Sequence, residues 1–85
     1  MKLSIIVCTY NERATIETVL ERIYSAPLLP SWEREVIVVD NASIDGTRDI
    51  LQTLRYPALQ TVFQPRNLGK GTSIRTAIPR CSGDY

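Results

Sequence analysis

Residues Glu35 to Thr47 read Glu-Val-Ile-Val-Val-Asp-Asn-Ala-Ser-Ile-Asp-Gly-Thr, and this stretch decides the fold. Four consecutive β-branched residues, Val36 to Val39, run into Asp40 and then into a cluster of small polar residues. A strand that is apolar on both faces belongs to a parallel sheet covered by helices. Such sheets bind ligands in the crevice beyond the carboxyl ends of their strands. Asp40 therefore stands at a strand tip, where a carboxylate can accept hydrogen bonds from ribose hydroxyls or a base N–H. It can equally cap the turn and the helix that follows, since Asp, Asn and Ser favour such places.

The neighbouring segments repeat the pattern. Leu3 to Thr9 is a second nearly continuous apolar run, broken by Tyr10-Asn11-Glu12. Asn11 or a neighbour can cap a helix whose Ile16, Val19, Leu20 and Ile23 fall on one face. Pro27 and Pro30 end that helix, and Trp32 in the connection reads as a lid on the core edge. After the Glu35–Thr47 segment, Asp45-Gly46-Thr47 starts a second helix with Ile50, Leu51 and Leu54 facing inward, closed by Tyr56-Pro57. Leu59 to Phe63 reads as a third, more polar strand. The turn from Pro65 to Gly69 opens a third helix carrying Ile74, Ala77 and Ile78, stopped by Pro79.

The order β-α-β-α-β-α predicts an α/β, Rossmann-like parallel sheet with right-handed crossovers. Ser82-Gly83-Asp84-Tyr85 reads as a turn leading toward a fourth strand, so residues 1–85 are expected to form part of a larger domain. The third strand would then expose an edge or face, which favours self-association.

Composition limits the functions open to the chain. Eighty-five residues with 44% hydrophobic and 22% charged side chains make one ordinary small globular unit. A net charge of +1 offers no basic surface for nucleic acid. The apolar runs are strand-sized, too short to cross a membrane, and no signal peptide is visible. The sequence has no histidine, which removes histidine-based zinc sites and serine–histidine or cysteine–histidine pairs from these residues. Cys8 and Cys81 have no metal-ligand spacing; Cys8 is expected to be a small buried hydrophobe, and a reducing compartment is the simplest setting.

Three strand ends converge on one edge of such a sheet. They carry Thr9-Tyr10-Asn11-Glu12, Asp40-Asn41-Ala42-Ser43 and Arg66-Asn67-Leu68-Gly69-Lys70-Gly71. Tyr10 offers a ring face for a base and Glu12 a carboxylate for ribose or base donors, although a half-buried aromatic and a first-turn acid would look the same. Gly69-Lys70-Gly71-Thr72 has the end of a P-loop but not its beginning: Gln64 stands where the first glycine belongs, and Gly71 where Ser or Thr must follow the lysine. Two glycines and a lysine at a helix N-terminus still favour an anion. A glycine-rich turn with a solvated lysine is the plainer alternative.

Taken together, Ser4 to Glu12, Glu35 to Thr47, Arg66 to Gly71 and Ser82 to Tyr85 resemble the N-terminal part of family 2 glycosyltransferases with the GT-A fold. The subgroup that looks most similar is the polyprenyl-phosphate sugar transferases of the dolichol-phosphate mannose synthase kind. The resemblance implies that residues 1–85 are the nucleotide-binding part of an inverting glycosyltransferase. Such an enzyme moves a sugar from a nucleotide-sugar donor to a lipid-phosphate or saccharide acceptor, in the cytoplasm or at the cytoplasmic face of a membrane.

Carried over residue by residue, the resemblance assigns Thr9, Tyr10, Glu12, Asp40 and Asn41 to the nucleotide. It assigns Arg66, Asn67, Gly69 and Lys70 to a loop near the diphosphate or the acceptor phosphate. The family commonly has a second aspartate where this chain has Asn41, so the position keeps hydrogen bonding without the charge. The resemblance also implies a divalent metal, Mg or Mn, on an Asp-x-Asp motif beyond Tyr85, so residues 1–85 alone are expected to be inactive. A non-catalytic α/β module or remnant that uses the same edge for a phosphate ligand or a protein partner is the alternative.

Overall fold

The computed structural model describes residues 1–85. Strand β1 spans Lys2–Thr9, helix α1 Ile16–Ser25, β2 Glu33–Asp40, α2 Thr47–Thr53, β3 Leu59–Phe63 and α3 Lys70–Ala77; a short 3-10 turn, Ile78–Arg80, follows. The strands lie in the order β1-β2-β3 and both pairings are parallel, giving the expected α/β, Rossmann-like architecture. In the register, Thr9 aligns with Asp40 and Asp40 with Phe63, so all three strands finish at one edge.

The β2 sequence determines why helices lie on both faces. Val36, Ile37, Val38 and Val39 are each no more than 1% exposed. Alternate side chains point to opposite faces. Val36 and Val38 therefore join Ile16 and Leu20 of α1 and Leu51 of α2 on one face, while Ile37 and Val39 join Ala77 of α3 on the other. Full burial of each such side chain contributes about 1.5–3 kcal/mol, which makes β2 the spine of the molecule.

The third helix departs from its expected face. Ser73 and Ala77 are buried, whereas Ile78 is 56% exposed. Pro79 turns the helix end into a tighter 3-10 turn, which shifts the phase and swings Ile78 outward. Asn11 also differs from the expected cap. It takes a left-handed φ of 53° in the approach to α1, and the residue before the helix is Thr15. Val19, expected inward, is 39% exposed.

At the opposite end of the sheet the last residues fold back on the first. The Ser4 N–H donates to Tyr85 O at 2.9 Å and the Asp84 N–H to Lys2 O at 2.7 Å, so residues 84–85 run along the outer edge of β1. Trp32 stacks on Tyr85 with ring centroids 5.6 Å apart, placing it over this junction. Both β3 and the remainder of β1 are sheet edges. None of the helices is long and apolar enough to cross a membrane.

Candidate functional site

The three strand ends enclose a cavity of about 330 Å³. From the end of β1 come Cys8, Thr9, Tyr10 and Glu12; from the end of β2 comes Asn41; from the loop and first turn of α3 come Asn67, Gly69, Lys70 and Ser73. Of the nine residues assigned from sequence, seven line this cavity. Asp40 and Arg66 do not.

Asp40 lies beneath the crevice, fully buried. Its Oδ1 accepts hydrogen bonds from Thr9 Oγ1 at 2.8 Å and from Ser43 Oγ. Its Oδ2 accepts the Ser43 N–H at 3.0 Å and Arg48 Nε at 2.8 Å, the latter an ion pair. Burial pushes the carboxyl group up, but the bonds from Ser43, Arg48 and Thr9 outweigh it and hold Asp40 below the usual aspartate range. The resemblance assigns Asp40 to the nucleotide; in this fold each of its oxygens accepts two hydrogen bonds from the protein. Its acceptance of the Ser43 N–H is the capping role that the sequence allows.

The loop after β2 is fixed from several directions. Ala42 adopts a left-handed φ of 64°, a conformation that costs a non-glycine residue about 1–2 kcal/mol. Asn11, also left-handed, bridges to this loop: its N–H donates to Ser43 Oγ at 2.8 Å, and its Oδ1 accepts the Ile44 N–H at 2.9 Å. The Glu12 N–H donates to Thr47 Oγ1 at 2.9 Å, tying the β1 loop to the start of α2. Tyr10 and Glu12 are thereby presented on a constrained turn, and Tyr10 keeps 45% of its surface exposed.

The third loop is clamped by a pair of amides. Asn41 Nδ2 donates to Asn67 Oδ1 at 2.7 Å, and Asn41 Oδ1 accepts the Leu68 N–H at 2.9 Å. Asn67 Oδ1 also accepts the Gly69 N–H at 3.0 Å. Gly69, at φ 85°, gives the turn its shape with open space around its Cα, and Lys70 begins α3 beside it. Arg66, in the same loop, is exposed.

Sequence reasoning missed several residues of the site. Cys8, expected in the core, is half-buried and faces the cavity; burial raises its thiol pKa, and Lys70 opposes that shift. Ser73 is buried one turn into α3 and donates to Gly69 O at 3.2 Å. Thr47 and Arg48 have no motif to mark them beyond following Asp45-Gly46. The donor set does not fit a divalent cation: no three His, Cys, Asp or Glu side chains cluster, and the buried carboxylate of Asp40 is saturated.

Comparison with known proteins sets this geometry in context. The sequence profile described as Glycosyl transferase family 2 matches residues 4–85. The chain is 34% identical over 86 residues to a dolichol-phosphate mannosyltransferase of Pyrococcus furiosus, covering 99% of this chain and 24% of that protein. It is 32% identical over 84 residues to an undecaprenyl-phosphate 4-deoxy-4-formamido-L-arabinose transferase of Pseudomonas syringae pv. syringae, covering 95% of this chain and 25% of that protein. Among solved structures, the mannosyltransferase PcManGT from Pyrobaculum calidifontis, in complex with GDP-Man and Mn2+, superposes with a TM-score of 0.82 at 36% identity, over 96% of this chain and 25% of that one. The chain spans between 24% and 32% of the length of the curated relatives it matches.

Proposed function

The chain belongs to glycosyl transferase family 2, and from that premise we propose that its strand-end crevice binds the nucleoside diphosphate part of a nucleotide-sugar donor. One observation carries the reading: three parallel strands bring an aromatic ring, a carboxylate, an amide and a lysine beside a helix start to the lining of a single cavity. Each suits one part of such a donor. The exposed Tyr10 ring can stack on a base, and Glu12 can accept from base or ribose donors. Lys70 and the backbone N–H groups at the start of α3 favour a diphosphate. Thr9 and Asn41 line the crevice between them, each also holding the scaffold together. Asp40 contributes from below, by fixing Thr9 and Ser43.

The reaction that such binding serves is transfer of a sugar from that donor, and the similarity to polyprenyl-phosphate transferases favours a lipid-phosphate acceptor at the cytoplasmic face of a membrane. A divalent cation on the diphosphate would take its protein ligands from residues other than 1–85. The chemistry such an ion supplies is neutralisation of the charge that develops on the departing diphosphate. The residues described here bind and orient the donor.

Isothermal titration calorimetry of the chain with GDP-mannose and UDP-glucose tests this. Binding to at least one is expected, with Lys70→Ala weakening it about tenfold, the effect of losing one charge-assisted contact. Absence of heat with every nucleotide sugar tried, by a protein shown to be folded, would overturn the reading.

A further inference from the structure

We propose that Arg48 is a positioning residue of the crevice: one guanidinium sets the spacing between the β2 tip and the loop that carries Asn67, Gly69 and Lys70. The proposal rests on the reading of the crevice as a nucleotide site. Arg48 Nε donates to Asp40 Oδ2 at 2.8 Å, and its Nη2 donates to the Gln64 carbonyl at the end of β3. Its guanidinium also lies over the Phe63 ring, 5.2 Å from the centroid. Two nitrogens of one planar group thus join two strand ends.

Gln64 is the residue through which this hold reaches the loop. Its N–H donates to Asp40 O at 2.9 Å, and its Nε2 donates to Thr76 Oγ1 of α3 at 3.0 Å. Pro65, which has no N–H, follows it, so the sheet's hydrogen bonding ends there and the chain turns toward Asn67. Arg48 therefore grips β3 at the last point before the loop leaves the sheet. On the other side it orients the carboxylate that holds Thr9 and Ser43. A lysine could match the charge but not the two divergent bonds or the face laid on Phe63.

Arg48 is not among the residues lining the cavity and reaches it through its contacts to Asp40, Gln64 and Phe63. Arg48→Lys and Arg48→Met would be compared with the native chain by amide resonances without ligand, thermal melting, and GDP-mannose titration. In Arg48→Lys, resonances of residues 66–71 should move while those of 82–85 stay in place, GDP-mannose should bind about tenfold more weakly, and melting should stay cooperative at a lower temperature. Millimolar guanidinium should restore part of the affinity of Arg48→Met. Unmoved resonances at 66–71 in the folded Lys variant, or native affinity in that variant, would overturn the proposal. If the native chain binds no nucleotide, the crevice reading fails by itself, and the ligand-free resonances still decide whether Arg48 sets the loop.

Discussion

Two carboxylates of strand β2, Glu35 near its start and Asp40 at its end, have been put to different uses. Glu35 accepts Ser4 Oγ and the N–H and Oγ of Ser82; Asp40 accepts Thr9, Ser43 twice, and Arg48. Both are held ionised below their ordinary range. At the Glu35 end the donors close the two ends of the chain onto each other, Gly83 packs against Ser4, and no cavity forms. At the Asp40 end the donors hold apart loops with left-handed residues, and a cavity opens above. A carboxylate at a strand end does not by itself make a site. The backbone around it decides whether the space is filled or kept.

The largest blow to this contrast is Asp40→Ala. It removes the carboxylate that accepts from Thr9 and Ser43, and leaves a partly buried guanidinium without its ion-pair partner, held only by the Gln64 carbonyl. We expect a loss of about 3 kcal/mol in urea unfolding, at the level of breaking a largely buried pair. A loss under about 1 kcal/mol would mean that the crevice end does not depend on its carboxylate. At the other end, Gly83→Ala should cost about 2 kcal/mol by overpacking. A Cβ there would lie 2.4 Å from Ser4 Oγ and 2.8 Å from Lys2 O, and the second of these is backbone. Hydrogen exchange should speed up at Ser4 and Asp84 while the crevice amides keep their protection. Equal loosening at both ends would erase the distinction.

Ala42→Gly tests the crevice end in the opposite sense. The alanine methyl is held in the left-handed region, so its removal should raise stability by about 0.5–1 kcal/mol, the net of relieved strain and a more flexible unfolded chain. A destabilised Gly variant would show that the loop is not strained, and that the Asn11 and Ser43 bonds merely follow a relaxed turn.

How far the sequence reveals this arrangement depends on whether a residue's partner is nearby in the chain. The apolar runs of β1 and β2 are read directly, because packing on both faces leaves a continuous signal, whereas the edge strand β3 is shorter and more polar. Asp40 is recognisable as a strand tip. The direction of its carboxylate is not, since Thr9, Ser43 and Arg48 reach it from three separate segments. Arg48 leaves no periodic trace, because its partners lie eight residues before it and sixteen after it. Ile78 misleads because helical spacing assumes that the helix continues, and Pro79 changes its geometry. The β-α-β-α-β-α order already brings the three loops to one edge, and the family resemblance adds what each loop would hold.

The smallest effect distinguishes the two carboxylates by acid. Glu35 is lowered from 4.5 to about 2, first by the Ser4 hydroxyl and then by the Ser82 N–H. A folded pKa below the unfolded one adds stability that is fully present above pH 4.5 and is lost as pH falls from there toward 2. Because Glu35 lies near the surface, solvent screening reduces this contribution, and the predicted slope is shallow. Glu35→Gln should flatten the acid limb of a stability-against-pH curve and release the amides of residues 82–85 to exchange, leaving nucleotide binding at neutral pH as in the native chain. If Glu35→Gln also weakens nucleotide binding, the clasp at the start of β2 and the crevice at its end are coupled along the strand. If the acid limb keeps its slope, Asp40, fully buried and with its own set of donors, supplies that dependence.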